Sequence, residues 1–267
     1  ELGHSINLLS EKLEDTISSL KSANNKLKKD IKQKEKVEEM RQEFLSNVTH
    51  ELKTPIALIQ GYAEGLKDNI QGDEESRQFY CEVIMDEAAK MNNMVKRLLS
   101  LSELEFGDNK LQFDRFDIIS VLNSVVGSMN MVYKQKNVIS KMSDVKSCYV
   151  WADEYLVEEV ITNYISNALN HVEEDSNGEK IISICVKKSD SIVRISVFNT
   201  GQPIPEEAIG RIWDKFYKVD KARTREYGGN GIGLSIVKAI MNSLNRECGV
   251  KNWDNGVEFW FELDTKA

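Results

Sequence analysis

The chain has 267 residues, enough for more than one domain, and 41% hydrophobic and 29% charged residues are typical of a globular protein. The net charge of −8 disfavours nucleic acid as a main partner, since such proteins usually show a basic footprint. No apolar run approaches the ~18–20 residues that cross a bilayer, and no signal peptide is recognisable. The four cysteines lie far apart, which favours a reducing compartment and argues against a disulfide framework or a zinc site.

Residues 1 to about 67 are predicted to form one long helix, because apolar residues recur at steps of three and four. Such a seam is typical of a coiled coil, with one stutter where two steps of four follow each other. At 1.5 Å per residue the helix would extend roughly 100 Å. A stripe of this length needs a partner, so we expect a parallel homodimer. The seam contains Leu2, Ile6, Leu9, Leu13, Ile17, Leu20, Leu27, Ile31, Val37, Met40 and Phe44.

A second long helix is predicted after a polar turn at 68–73, which contains Gly72. The two helices would form a hairpin, and two hairpins would form a four-helix bundle. The second helix is expected to end at 105–110, a candidate domain boundary. One face of it carries Ile84, Ala88, Met91, Val95 and Leu98.

The remainder mixes strands and helices without strict alternation, which predicts an α+β sandwich with one sheet and helices on one side. We expect Asp117 and Asp153 to cap two of these helices. Residues 199 to about 230 show little regular pattern beyond a short helix at 206–216, and such a segment is usually a functional lid or disordered. The predicted helices are 118–135, 153–171 and 233–244, and the predicted strands are 138–142, 147–151, 180–188, 191–199, 247–251 and 256–262.

The stretch "SNVTHELKTPI", residues 46–56, places His50 and Pro55, residue types of which the chain has only three each, inside the first helix. An exposed histidine is the ordinary interpretation of such a position. Thr54 lies one turn beyond His50 on the same face, and Glu51 lies about 100° round the helix. Pro55 lacks the N–H that would bond the carbonyl of Glu51, so it is expected to bend the helix beside His50.

Two glycine-rich stretches border the lid, "NTGQPIP" at 199–205 and "GGNGIGLS" at 228–235. Glycines let backbone N–H groups approach phosphates, and a helix that begins near Gly233 favours anions at its N-terminus. The stretch is neither a Walker loop nor a dinucleotide fingerprint. Alone, it could equally be a hinge without chemical meaning.

The helix "EEVITNYISNALNH" places Glu159, Asn163, Asn167 and Asn170 along one stripe. Asparagine is a mediocre helix former, so three on one face need an explanation. A wet outer face is one explanation. A magnesium ion bridged to phosphates is the other, because hard cations take carboxamide and carboxylate oxygens.

These stretches together resemble the cytoplasmic part of a sensor histidine kinase of a two-component system. "FLSNVTHELKTPI" is similar to the phosphoacceptor box, "NYISNALNH" to the N box, "VFNTGQPIP" to the first glycine-rich box, "WDKFYK" to the F box and "GGNGIGLSIVK" to the second glycine-rich box. The boxes occur in the family's order and with its spacing. "ELG" at the start resembles the second helix of a HAMP linker, so we expect a membrane-anchored sensor to precede residue 1.

The resemblance implies roles for the residues of the first helix. His50 would attack the γ-phosphate of ATP, and Glu51 would act as general base. Thr54 would orient the water that dephosphorylates the partner regulator. With the other boxes present, the exposed-histidine interpretation loses its force.

The resemblance also implies the ligands of ATP and Mg²⁺. Asn167 would bind magnesium, assisted by Glu159 and Asn163, and Asn170 would lie near the phosphates. His171 would line the nucleotide pocket, although it is also an alternative nucleophile. Lys215 and Lys218, with Arg223 and Arg225, could meet phosphate charge or simply solubilise the lid, and Phe216 and Tyr217 fit lid packing better than base stacking. The expected nucleotide-binding set is Asn163, Asn167, Asn170, His171, Asn199, Gly201, Lys215, Tyr217, Lys218, Gly229, Gly231, Gly233 and Leu234.

Three positions depart from the family pattern. Asn199 stands where the family usually has an Asp that accepts a hydrogen bond from the adenine amino group, and an amide oxygen can still accept that bond. Pro203 replaces a glycine and stiffens the loop. Asn170 stands where Lys or Arg is common, which removes a charge near the phosphates. We therefore expect ATP binding to be retained but weaker than is usual in the family.

The sequence therefore predicts an all-α coiled coil and dimeric four-helix bundle, followed by a GHKL-type α+β sandwich that binds ATP. We expect a coiled coil at 1–43, a phosphotransfer hairpin at 44–106, a linker at 107–114 and an ATP-binding domain at 115–267. The expected partners are a second copy and the receiver domain of a response regulator. The expected location is the cytoplasmic side of a membrane-anchored bacterial protein. A non-catalytic scaffold and a related ATPase without phosphotransfer are the rival hypotheses.

Overall fold

A computed structural model of the chain describes residues 2–68, 73–106, 111–219 and 231–266. Within it the chain forms two compact units, residues 1–57 and 58–267. The helices are α1 (Leu2–Lys67), α2 (Glu74–Phe106), α3 (Ile118–Ser128), α4 (Asn130–Gln135), α5 (Glu154–His171), α6 (Glu206–Ile209) and α7 (Gly233–Ser243). The strands are β1 (Asp114–Asp117), β2 (Val138–Met142), β3 (Tyr149–Ala152), β4 (Lys180–Ser189), β5 (Ile192–Thr200), β6 (Cys248–Trp253) and β7 (Gly256–Asp264).

The long helix α1 confirms the prediction from the apolar spacing, and it continues through Pro55. Six side chains of its seam are largely exposed in the single chain, whereas Phe44 is half-buried. The six are Leu13, Ile17, Leu20, Leu27, Ile31 and Val37. Leu2, Ile6, Leu9 and Met40 belong to the same predicted seam, but their side chains lie outside what the structure describes.

The end of α1 packs against the start of α2 through aromatic rings. Tyr62 contacts Phe79 and Tyr80 edge-on, with ring centroids 6.1 and 5.2 Å apart. Gly65 permits this approach, since a Cβ there would lie 2.9 Å from Cε2 of Tyr80. Asp73 caps α2 by accepting from the backbone N of Ser76 at 2.7 Å. The two helices thus meet beside the predicted turn, and residues 69–72 of that turn lie outside the described residues.

Seven strands form one sheet in the order β1-β3-β7-β5-β4-β2, with β6 also paired to β7. All pairs are antiparallel except β2 with β4. Helices α3, α5 and α7 cover one face, and their apolar side chains meet alternate residues of β5 and β7 in the core. The core includes Ile161, Tyr164, Ile165, Ile236, Val237, Ile240, Val193, Ile195, Val197, Phe259, Phe261 and Leu263. The α+β architecture expected from the sequence is thus present.

Both predicted aspartate caps are present. Asp117 accepts from the backbone N of Ile119 at 3.2 Å and of Cys148 at 2.8 Å. Asp153 accepts from the N of Leu156 at 3.2 Å and, with its second oxygen, from the N of Gln112 at 3.0 Å. Each carboxylate therefore ties the start of a helix to a distant segment as well as satisfying the helix N-terminus.

Three element predictions were wrong. The helix predicted at 118–135 is interrupted at Met129, whose N–H bonds the carbonyls of Val125 and Val126 and closes α3. The helix predicted at 206–216 ends at Ile209, before a series of turns that leads to Phe216 at φ 62°. Strand β1 was missed, because its four residues, "DRFD", are too few and too charged to show an alternating pattern, and it forms only by pairing with β3.

Replacing Tyr164 by Phe should destabilise the sheet-bearing unit. The hydroxyl of this buried tyrosine donates to the carbonyl of Trp260 at 3.1 Å, and phenylalanine cannot make this bond. We expect a loss of about 1 kcal/mol and a fall in Tm of roughly 2–4 °C, measured by thermal and urea unfolding. The control is Tyr155→Phe, at a tyrosine that is 75% exposed. Equal effects of the two substitutions would contradict the role of this bond.

Candidate active site

The predicted catalytic residues lie on α1, in the unit formed by residues 1–57. His50 and Thr54 are exposed and are separated by one helical turn, so a single molecule could contact both. Glu51 and Leu52 are half-buried, and Pro55 is buried. The histidine thus lies on a rigid element with its imidazole open to a reactant, as a nucleophile requires.

The asparagine stripe lies on α5, in the other unit. Asn163, Asn167 and Asn170 are all half-buried, while the opposite face of the helix carries buried Ile161 and Ile165. The stripe is therefore a boundary between core and solvent, and the wet-outer-face interpretation does not describe it.

Asn163 links this helix to the start of α7. Its Nδ2 donates to the carbonyl of Glu159 at 2.8 Å, while its Oδ1 faces Gly233. A Cβ on Gly233 would lie 2.8 Å from that oxygen, so only glycine fits without displacing the asparagine. The second glycine-rich box and the N box are thus in contact at the N-terminus of α7, where backbone N–H groups favour an anion.

The first glycine-rich box packs against the C-terminal end of α5 backbone to backbone. Gly201 has φ 148°, and a Cβ there would lie 2.8 Å from the carbonyl oxygen of His171. Thr200, buried at the end of β5, donates through Oγ1 to the carbonyl of Glu173 at 2.6 Å and accepts from the N of Ile181 at 3.1 Å. The N of Glu173 in turn donates to the carbonyl of Thr200 at 2.9 Å. The structure thus brings together residues 171 and 199–201, as predicted for a shared pocket.

Asn199 is 3% exposed, and its carboxamide is held in one orientation. Its Nδ2 donates to the carbonyl of Thr200 at 3.1 Å and approaches that of His171 at 3.5 Å. A carboxylate has no donor for these oxygens and would be repelled by them. With the nitrogen engaged, the amide oxygen remains as the acceptor for a ligand, which is the role expected for this position.

The segment that carries the F box closes onto the second glycine-rich box. The N of Phe216 donates to the carbonyl of Gly231 at 2.8 Å, and a Cβ on Gly231 would lie 2.9 Å from Phe216 Cα and C. We call this contact the neck, since it joins the two ends of residues 217–230. Phe216 is buried, as expected of a packing residue, and the Arg211 guanidinium lies 4.5 Å from the Tyr217 ring centroid.

The remaining residues that the sequence predicts to meet the nucleotide fall into three groups. Lys215, Tyr217, Lys218 and Leu234 are half-buried next to the neck, and the side chain of His171 is exposed at the end of α5. Gly229, Arg223 and Arg225 lie outside the described residues.

Glu159 faces α2. Burial raises the pKa of its carboxyl, while the Arg97 guanidinium and the Ser100 hydroxyl, both on α2, act in the opposite direction. Met94 and Leu101 of α2 are buried at 4% and 2% exposure, so the second half of α2 is packed. Glu159 as a magnesium ligand stays a prediction, and the structure gives this residue a contact with α2 that sequence reasoning missed.

Within the described ranges, no group of three or more His, Cys, Asp or Glu side chains could hold a metal ion. A magnesium site on α5 would therefore depend on carboxamide oxygens together with oxygens of a bound phosphate, a ligand set that suits this hard cation. The half-buried Asn167 has such a carboxamide oxygen on this stripe.

Two family models match the chain in order. The His Kinase A (phospho-acceptor) domain matches residues 40–107, and the histidine kinase-, DNA gyrase B- and HSP90-like ATPase matches residues 152–267. The chain belongs to the sensor histidine kinases. The resemblance and the fold class expected from the sequence are confirmed.

The sensor histidine kinase WalK of Bacillus subtilis (strain 168) is 31% identical over 214 residues, which cover 80% of this chain and 35% of WalK. The chain thus spans about a third of that relative's length. Two solved structures are also similar. The histidine kinase ThkA in complex with the response regulator TrrA is 26% identical, with a TM-score of 0.66 over 84% of this chain and 61% of that one. Full-length ShkA in complex with AMPPNP is 25% identical, with a TM-score of 0.61 over 84% of this chain and 46% of that one.

Gly201→Ala should weaken ATP binding. The residue would have to leave φ 148° or push its Cβ against the carbonyl of His171, a strain of order 1–3 kcal/mol. We expect the Kd for ATP with magnesium to rise more than tenfold in calorimetry. Gly210→Ala is the control, because Gly210 has φ −71° and open space around its Cα. Unchanged affinity in Gly201→Ala would show that this loop is not part of the pocket.

Glu159→Gln should change the pH dependence of stability. The folded protein holds the Glu159 proton more tightly than the unfolded chain, because burial raises the pKa above its ordinary value of 4.5. Protonation therefore favours folding as pH falls through the raised pKa, and the ionised carboxylate opposes folding at neutral pH. We expect a higher Tm than wild type at about pH 7 and a smaller difference at about pH 5. The neighbouring exposed Glu158→Gln serves as control, and a lower Tm of Glu159→Gln at neutral pH would contradict the argument.

Proposed function

We propose that this protein is an ATP- and magnesium-dependent protein histidine kinase that phosphorylates its own His50. The phosphoryl group then passes to an aspartate of a response regulator. The observation that carries the proposal is the presence, in one chain, of an exposed histidine in a phosphoacceptor domain and of an ATPase domain whose glycine-rich boxes meet the asparagine helix. The ThkA–TrrA complex supports a response regulator as the partner. The AMPPNP complex of ShkA supports ATP as the nucleotide.

Each residue of the phosphoacceptor segment has a chemical task in this proposal. One imidazole nitrogen of His50 forms a bond to the γ-phosphorus, while the bond from that phosphorus to the bridging oxygen breaks and its electron pair leaves with ADP. Glu51 accepts the proton from the other ring nitrogen, which keeps the product neutral at the ring. Thr54, exposed one turn away, would hold the water for dephosphorylation of the regulator.

The nucleotide would bind between α5, the first glycine-rich box and the residues at the neck. Asn199 would accept from the adenine amino group through Oδ1, and Gly231, Gly233 and Leu234 would lie along the phosphates. Lys215 and Lys218 would supply positive charge. The other members of the expected nucleotide-binding set are Asn163, Asn170, His171 and Tyr217. We propose Asn167 as a magnesium ligand, supported by Glu159, because a bound magnesium ion would neutralise phosphate charge.

The exposed seam of α1 supports a homodimer. Six apolar side chains between residues 13 and 37 are each 48% or more exposed in the single chain. A coiled-coil seam of this kind is buried by a second helix. The domain limits of 1–43, 44–106, 107–114 and 115–267 stay a prediction.

The described residues contain no helix with the length and apolar character needed to span a membrane. We propose that the chain is the cytoplasmic kinase part of a longer, membrane-anchored bacterial sensor. The match covers only 35% of WalK, so that relative has further segments, which supports the proposal.

His50→Gln should abolish phosphorylation from γ-labelled ATP while ATP binding is retained. Glutamine has no nucleophilic nitrogen comparable to imidazole, and residue 50 lies in a different unit from the asparagine helix. The measurement is acid-labile, base-stable label on the protein, located by mass spectrometry, together with calorimetry of ATP binding.

The matched control is His171→Gln, which removes the other candidate nucleophile and should leave His50 as the labelled residue. Label that persists in His50→Gln would refute the assignment. Release of free phosphate by the wild type without any phosphoprotein would favour the ATPase hypothesis, and absence of ATP binding would favour the scaffold.

A further inference from the structure

The segment between β5 and α6, residues 201–205 with the sequence "GQPIP", has an unusual backbone. Pro203 and Pro205 have no N–H group and restricted φ angles. Ile204 therefore carries the only backbone N–H within residues 203–205. A loop of this composition cannot be held by ordinary strand pairing, because two of these three residues have no donor.

Asn252, on strand β6, supplies the missing partner. Its Oδ1 accepts from the backbone N of Ile204 at 3.0 Å, and its Nδ2 donates to the carbonyl of Ile204 at 2.7 Å. The carboxamide thus bonds both polar groups of one residue, as a neighbouring strand does in a ladder. Both residues are half-buried, so water competes only partly for these bonds.

The same hairpin holds the other end of the loop. The N of Gly201 donates to the carbonyl of Asn255, in the turn between β6 and β7, at 3.1 Å. The loop is therefore tied at Gly201 by a backbone group and at Ile204 by a side chain. Beyond it, the N of Ala208 bonds the carbonyl of Pro205 at 2.9 Å and starts α6.

Asn252 is also in line with the proposed adenine-binding residue. It pairs with Val257 on β7, and Val257 pairs with Asn199 on β5, so the three residues form one row across three strands. Residues in one row point to the same face of a sheet. Asn252 therefore contacts the loop from the same face of the sheet on which Asn199 lies.

We propose that Asn252 is a positioning residue for the nucleotide pocket, which fixes the Pro203–Ile204–Pro205 segment so that Asn199 and Gly201 meet the nucleotide. The inference rests on the proposed function, since ATP binding is what reports it. Pro203, where the family usually has glycine, makes the loop stiff, and Asn252 determines where the stiff loop lies. A loop that is rigid and held in place binds without having to be ordered first.

The test compares wild type with Asn252→Ala, and with Asn252→Asp, which keeps the volume and the acceptor but loses the donor to Ile204. The readouts are KM for ATP and kcat of autophosphorylation, calorimetric Kd for ATP with magnesium, and hydrogen exchange of the Ile204 amide. We expect Asn252→Ala to raise Kd and KM about tenfold with kcat within about twofold, and Asn252→Asp to raise them several-fold. The Ile204 amide should be protected in wild type and should exchange rapidly in Asn252→Ala. The control is Asp254→Ala, at an exposed position of the same hairpin.

Unchanged ATP affinity in both Asn252 variants, or an Ile204 amide that stays protected in Asn252→Ala, would overturn the inference. A lower Tm of the nucleotide-free variants with an unchanged ATP-induced rise in Tm would also overturn it, because that is the result of a purely structural role. If Asn252→Ala fails to fold, the isosteric Asn252→Asp decides by the same criteria. Absence of ATP binding and label in the wild type would refute the proposed function instead, and Ile204 exchange would still test the contact itself.

Discussion

The nucleotide-binding unit depends on one close approach of two backbones, that of Gly201 to the carbonyl of His171. A side chain on residue 201 would occupy the space in which this carbonyl lies, and the backbone of Gly201 has a conformation that other residues rarely adopt. Thr200 secures the approach from the strand side by satisfying backbone groups of both Glu173 and Ile181. Because this junction is made of backbone and one hydroxyl, it sets the positions of Asn199 and of the C-terminal end of α5 relative to each other.

Helix α5 combines two different requirements on its faces. Toward the sheet it supplies a close-packed apolar surface that includes Tyr164, and toward α7 it supplies the amide of Asn163. The poor helix propensity of the asparagines is tolerated because the apolar face is completely buried and fixes the helix in place. Glu159, in the first half of α5, contacts α2. This one helix therefore meets the core, the proposed nucleotide site and α2.

Much of this could be predicted from the sequence, because the deciding signals are local. Alternation gave β4 and β5, capping aspartates gave the starts of α3 and α5, and the glycine-rich boxes indicated where the backbones approach. The remainder depends on contacts between distant segments. Strand β1 forms only by pairing with β3, and the environment of the Glu159 carboxyl depends on Arg97 and Ser100 of α2. The link from Asn252 to Ile204 joins residues 48 positions apart. None of these contacts produces a periodic pattern in the sequence.

The residues that surround Asn199 and Pro203 in the structure explain these two departures from the family pattern. An amide at 199 faces two carbonyl oxygens that it can bond. A proline at 203 lies beside Ile204, whose N–H is already bonded to Asn252. Both substitutions remove freedom from the first glycine-rich box. The sequence showed them as deviations from a pattern, whereas the structure shows them as parts of one stiffened loop.

Because of the neck between Phe216 and Gly231, the geometry of the proposed pocket need not depend on the length of the chain between these two residues. Since a backbone hydrogen bond and a glycine contact join the two ends, the positions of Asn163, Gly233 and Asn199 need not change with the length of the chain between these ends.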